Sequence, residues 1–215
     1  MKKGLCEAVF ILDRSGSMGG LESDTVGGFN AMLKKQKNTE GTALVTTVLF
    51  NQKSHILHDR LDINEVKPLT EDDYTVGGTT ALLDAIGGAI THISGVHKYI
   101  REEDRPENTI FVITTDGMEN ASREYSADQV RRLIEKQKSK AGWEFIFLGA
   151  NIDAVETASR FGIDKDHTAD FHADEIGIGT QFEAVDAAIR SVRSSGKLKG
   201  SWKKAVDADY RSRKG

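Results

Sequence analysis

The sequence predicts an α/β fold: a doubly wound, mostly parallel six-stranded sheet with one antiparallel edge strand and helices on both faces. Three observations predict it. Short apolar runs of strand length alternate with stretches whose apolar residues recur at helical spacing. Several runs are apolar at consecutive rather than alternate positions, as in strands covered on both faces. The 215 residues suffice for one ordinary domain with a core and are few for two.

The elements follow in order. Ala8-Val9-Phe10-Ile11-Leu12 is a continuous apolar run that ends at Asp13 and reads as a doubly buried strand. Val26, Phe29 and Leu33 recur at helical spacing. Residues 43–50 form a second strand, and Asn51-Gln52-Lys53 turns it into a third, about Ser54 to Arg60, as an antiparallel hairpin. Leu83, Ile86, Ile90 and Ile93 make the next helical stripe, and residues 109–115 a further buried strand ending at Asp116. Ser126 with Gln129 fits a capping box, after which Val130, Leu133 and Ile134 supply an apolar face. Trp143 to Leu148 is a strand stopped by Gly149, and a short helix follows Asp153. An edge strand is expected near Thr168 to Phe171, and the last clear helix carries Phe182, Val185, Ile189 and Val192. In such open sheets ligands bind at the carboxyl ends of strands, so sites are expected just after Leu12, Thr115 and Leu148.

Composition narrows the function. Hydrophobic residues at 38%, with only two prolines, exclude a disordered or collagen-like chain. The net charge of −4 excludes a uniformly basic nucleic-acid-binding surface, and no nucleic-acid partner is expected. Charge is uneven: residues 190–215 carry nine Lys or Arg against two Asp, or +7, leaving −11 for the rest. The domain is therefore placed at 1–195, with a basic C-terminal tail at 196–215 that is either an interaction arm or a solvated final helix. Trp202, with Lys203, Lys204 and Tyr210, either docks on a partner or folds back onto the body. The single cysteine, Cys6, excludes an internal disulfide and a multi-cysteine zinc site. The short basic start is interrupted by Glu7 and followed by no cleavage site, and no apolar stretch reaches ~18 residues. No membrane association is expected, and the expected location is the cytoplasm.

Three loops carry the chemistry. The first reads Asp13-Arg14-Ser15-Gly16-Ser17, an acid and two hydroxyls on alternate positions with glycine between. The second is Gly77-Gly78-Thr79-Thr80, a glycine turn presenting hydroxyls before a helix, and the third is Asp116-Gly117-Met118-Glu119-Asn120. Together they offer hydroxyls and carboxylates but no thiolate or imidazole. Oxygen-only ligation suits Mg²⁺ or Ca²⁺, and Mn²⁺ tolerates it.

On these residues the sequence resembles a von Willebrand factor type A (VWA) domain with an intact metal-ion-dependent adhesion site, over roughly residues 5 to 195. Asp13, Ser15, Ser17 and Asp116 match the family's D-x-S-x-S and later Asp position by position. The stretch from Gly78 to Ile86 resembles its threonine loop; the distance to Ala85-Ile86 favours Thr80, with Thr79 the runner-up. The resemblance implies a Rossmann-like VWA fold and a small stand-alone, intracellular bacterial protein that acts as an adaptor in multi-protein assemblies. It further implies that the Ser and Thr hydroxyls touch Mg²⁺ (or Mn²⁺ or Ca²⁺) directly while the two Asp act largely through water. One coordination position is then left for a carboxylate from a protein partner. The expected function is protein binding rather than catalysis.

The alternative is a metal-dependent hydrolase using the same ion. Against it, Ser15-Gly16-Ser17-Met18-Gly19 lacks the first glycine of a nucleophile elbow, and no His stands at an obvious strand end. No Gly-rich phosphate-binding motif follows a strand either. A second candidate metal loop has Asp164, Asp166, Thr168, Asp170 and His172 at alternate positions and Glu175 at the twelfth, as in an EF-hand, but it has Ala169 where that loop needs glycine. His55, His58, His92 and His97 read as structural. Glu119 and Asn120 either tune the metal loop or cap the next turn, and Gly149-Ala150-Asn151 either shapes the rim or is only a helix entry.

Overall fold

The computed structural model describes residues 1–213, so the last two residues of the basic tail lie outside the described residues. Six strands form one sheet: β1 (Lys2–Asp13), β2 (Thr42–Phe50), β3 (Ser54–Asp62), β4 (Pro106–Thr115), β5 (Glu144–Gly149) and β6 (Thr168–Asp170). Their order is β3-β2-β1-β4-β5-β6, with every neighbouring pair parallel except the β2–β3 hairpin. The chain starts in the middle of the sheet, winds outward to β3, then returns to the far side of β1 for β4 to β6. That reversal opens a crevice between the carboxyl ends of β1 and β4, the switch point at which such sheets hold ligands.

Side chains alternate across β1 and feed two cores. Ala8, Phe10 and Leu12 meet α1 (Glu22–Lys37) and α5 (Glu175–Ser195) through Phe29, Leu33, Phe182, Val185 and Ile189. Val9 and Ile11 meet α2 (Leu82–Tyr99), α3 (Ala127–Ala141) and α4 (Ala154–Arg160) through Ile86, Ile90, Ile93, Val130 and Ala158. Two layers of helix thus cover both faces, which is why the strands read as continuous apolar runs. Ser126 closes the capping box with Gln129 at the start of α3, and Asp153 caps α4.

β1 begins at Lys2, six residues before the apolar run that marks it in the sequence. Glu7, which interrupts the short basic start in the sequence, is a fully buried residue of this strand. Its carboxylate is held by Arg60 Nε and His97 Nε2, each at 2.5 Å, so a strand position that periodicity rejects is satisfied from two other elements. Residues 164–175 are not a helix-flanked calcium loop. They hold one 3-10 turn (Lys165–His167), β6 and the entry to α5. Two of the candidate carboxylates are engaged elsewhere, Asp164 with Lys138 and Asp170 with the Ala154 N–H, and the neighbouring Asp174 caps α5 through the Gly177 N–H.

Beyond α5 the chain turns back. Trp202 and Val206 are buried in the same core cluster as Phe10 and Ile189, with Val206 on a last helix, α6 (Lys204–Ser212). The Trp202 indole N–H donates to the Asp166 carbonyl at 2.9 Å. Among the described residues, no helix is long and apolar enough to cross a membrane.

Candidate metal centre

The centre is built from the carboxyl ends of β1 and β4. Leu12 pairs with Thr114, so Asp13 stands beside Thr115, whose Oγ1 donates to Asp13 Oδ2 at 2.5 Å. Asp13 Oδ1 accepts the Ser15 N–H at 2.7 Å, an Asx-type turn that bends the chain out of the strand. The following 3-10 turn, Gly16–Met18, brings Ser17 back over Ser15, with their hydroxyls 3.2 Å apart. Ser17 Oγ then donates to Asp116 Oδ1 at 2.6 Å. Tyr74, buried below, donates its hydroxyl to the Asp13 carbonyl and so holds the strand end.

The glycine turn docks on this loop through its backbone. Gly16 N–H donates to Gly78 O and Gly77 N–H to Arg14 O, both at 3.0 Å. Gly78 has φ +80°, a left-handed conformation that favours glycine. Thr80 is clamped at both backbone groups by Asn120: its N–H donates to Asn120 Oδ1 at 2.9 Å, and its carbonyl accepts the Asn120 N–H at 3.1 Å. Thr80 is buried and Thr79 is exposed. A Cβ built on Gly117 would stand 3.2 Å from Ser17 Oγ and 3.4 Å from Thr80 Oγ1, so both hydroxyls crowd the one small residue after Asp116. The structure therefore brings Asp13, Ser15, Ser17, Thr80 and Asp116 to one place.

Burial raises the pKa of the Asp13 carboxyl, with hydrogen bonds from Thr115 and Ser15 opposing. Burial raises Asp116 too; the Ser17 hydroxyl opposes and the nearby Asp13 charge adds to the rise. Asp116 Oδ2 is buried without a hydrogen-bond partner. An ionised carboxylate with an orphaned oxygen costs on the order of 1–3 kcal/mol or more unless a donor or cation meets it. Two carboxylates and three hydroxyls with one oxygen unmet form a hard-oxygen donor set that fits a divalent cation of the Mg²⁺ or Ca²⁺ kind. Among the described residues no group of three or more His, Cys, Asp or Glu converges as a metal cluster, which follows from a site made largely of hydroxyls.

Several contributors escape the motif. Thr115 and Tyr74 orient Asp13, and Asn120 sets Thr80. Glu119 accepts from the Leu83, Ala121 and Ser122 N–H groups and so ties the loop after β4 to the start of α2. The only sequence signal for Thr115 is a polar residue closing an apolar strand. Tyr74 has none, because it lies 61 residues from the carbonyl it meets.

Sheet order and strand direction define the class: the fold is that of von Willebrand factor type A domains. The vWF domain of the type V pili tip protein Mfa5 from Porphyromonas gingivalis superposes with a TM-score of 0.63, covering 90% of this chain and 98% of that one at 10% identity. The von Willebrand factor type A protein from Catenulispora acidiphila gives 0.59 at 13% identity over 86% of this chain and 42% of its own. Proximal thread matrix protein 1 of the mussel byssus, solved with a zinc-occupied MIDAS motif, also gives 0.59 at 13% identity, over 88% and 46%. The chain thus spans about half the length of the last two, and at these identities the likeness concerns the fold. No family model matches the chain, and no curated protein sequence does.

Proposed function

We propose that this chain is a metal-ion-dependent protein-binding domain, an adaptor rather than an enzyme, that engages an acidic residue of a partner. The observation that carries the reading is the buried, unpartnered Asp116 Oδ2 within a converged set of Asp13, Ser15, Ser17 and Thr80. Ser15, Ser17 and Thr80 would hold the cation through hydroxyls, with Asp13 and Asp116 balancing its charge. Mg²⁺ is the proposed ion, with Mn²⁺ or Ca²⁺ as substitutes. When bound, it supplies an electrophilic point for an incoming Asp or Glu. The chain's own residues prepare that point: Thr115 aims Asp13, Asn120 fixes the Thr80 backbone, and Glu119 braces the loop. Met118, 73% exposed two residues after Asp116, gives the partner an apolar contact beside its carboxylate. Neither nucleic acid nor membrane is proposed as a partner.

The test is the melting temperature of EDTA-stripped protein. A ligand that binds only the folded state at a hundredfold excess over Kd stabilises it by about 2.7 kcal/mol. Millimolar Mg²⁺ or Mn²⁺ should therefore raise the melting temperature. The rise should vanish in Asp13→Ala, Ser15→Ala and Thr80→Val and persist in Thr79→Val. No response of the unmutated protein to any of the three ions would overturn the reading.

A further inference from the structure

At the amino edge of the sheet, opposite the metal centre, a cavity of about 610 Å³ opens between the C-terminal halves of α2 and α3. That volume lies within the roughly 300–1,000 Å³ of small-molecule sites. Four cations line it: Lys98 from α2, Arg105 from the segment before β4, and Lys136 and Lys140 from α3; Glu102 is its one carboxylate. None of the four makes an ion pair among the described residues. Their neighbours do: Arg131 pairs with Glu135, Lys138 with Asp164, and Arg101 with Glu103 and Asp104.

Helix ends explain only part of this. α2 and α3 both terminate here, and basic residues in a last turn are favoured by the helix dipole. That covers Lys98 and Lys140, but not Lys136, which lies before the last turn, and not Arg105, whose Nε is buried without a hydrogen-bond partner. Lys136 and Lys140 also stand four apart on one face, a like-charge spacing that weakens an isolated helix. Each helix end contributes about half a negative charge, so three net formal positive charges prevail. In a chain of net charge −4 this is a local reversal of sign. The cavity also has aromatic walls. Trp143 lines its inner side, edge to face with His97 at 5.3 Å, and Tyr99 stands on the rim, 82% exposed.

We propose that this cavity binds a free nucleotide. Its phosphates would meet Arg105, Lys136 and Lys140, and its base would lie on the face of the Tyr99 ring away from Lys98, whose Nζ stands 5.2 Å from the ring centroid. The site is separate from the metal centre and does not depend on the reading given to it.

The experiment is calorimetric titration of the full chain at low salt, with EDTA present so that the metal centre is silent. ADP should bind once per chain, at least tenfold more tightly than pyrophosphate, and should weaken as salt rises. The K136E/K140E double variant should lose at least tenfold while remaining folded, since both lysines are exposed and only the unfavourable helix-dipole contact of the new carboxylates lowers its melting temperature. Tyr99→Ala should bring ADP down towards pyrophosphate. Absence of saturable ADP binding at millimolar concentration, or equal affinity in the charge-reversed variant, would overturn the site. Pyrophosphate as tight as ADP, or a single-stranded oligonucleotide tighter than ADP, would overturn the assignment of a free nucleotide.

Discussion

Asp13 is held from both sides. Its two carboxylate oxygens accept from Ser15 N–H and Thr115 Oγ1, and its carbonyl accepts from Tyr74. Thr115→Val keeps the branched shape and removes the donor, leaving Asp13 Oδ2 buried without that partner. A loss of about 1–3 kcal/mol is expected in urea unfolding of the metal-free protein. The Mg²⁺-induced rise in melting temperature should shrink as well, and Thr115→Ser should restore most of both. If Thr115→Val matched the unmutated protein in stability and metal response, the threonine would not be positioning Asp13. Of Thr79 and Thr80, the two residues the sequence leaves open, Thr80 is the buried one. Asn120 draws the Thr80 backbone inward from 40 residues away, and Thr79 remains outside.

Between elements, side chains close gaps that backbone pairing leaves. Arg193 of α5 donates to the carbonyls of Gln36, Thr39 and Gly41, joining α5 to the last turn of α1 and the loop into β2. A guanidinium suits this role because its planar fork reaches several carbonyls at once and its charge complements a helix C-terminus. Arg193→Lys should therefore cost about 1–3 kcal/mol in urea unfolding, nearly as much as Arg193→Ala. A lysine variant as stable as the unmutated protein would show that charge alone suffices. On β5, the hydrogen bond from His167 holds the half-buried Glu144 carboxyl below its ordinary range, against burial. A carboxyl lowered in the folded state contributes stability above its unfolded pKa and loses it as pH falls through the folded one. Glu144→Gln should therefore narrow the difference between stability at neutral pH and near pH 3, as measured by denaturant melts across that range. An unchanged acid limb would remove the pair from the account of acid stability.

At the scale of the molecule, the basic segment after α5 contributes to the core. Trp202 and Val206 are both buried in the cluster shared by α1, α5 and β1. Trp202→Ala should cost about 3–5 kcal/mol, a large share of the roughly 5–15 kcal/mol that holds a domain together. Truncation after Gly196 should lower the melting temperature at least as far. A truncated chain melting within a degree or two of the full one would show that the segment is an arm after all.

Periodicity and motif spacing are local, and what they imply was legible in the sequence. The apolar runs, the helical stripes and the Ser126 capping box follow from side-chain spacing within a few residues. The order of D-x-S-x-S, threonine and aspartate along the chain was sufficient to resemble a known kind of site. Contacts between distant segments were not legible. Glu7 is buried in β1 because His97, 90 residues on, meets it, and Asp13 is aimed by Thr115, 102 residues on. The acidic stretch at 164–175 has the spacing of a calcium loop but lacks its glycine, and only the structure shows that Asp164 and Asp170 are engaged by Lys138 and the Ala154 N–H. The sequence by itself determined the central strands and helices and which oxygens can gather, but not the start of β1 or the fate of the basic segment. Only the tertiary structure decided which of them face one another, because burial and hydrogen-bond partnership are properties of neighbours in space.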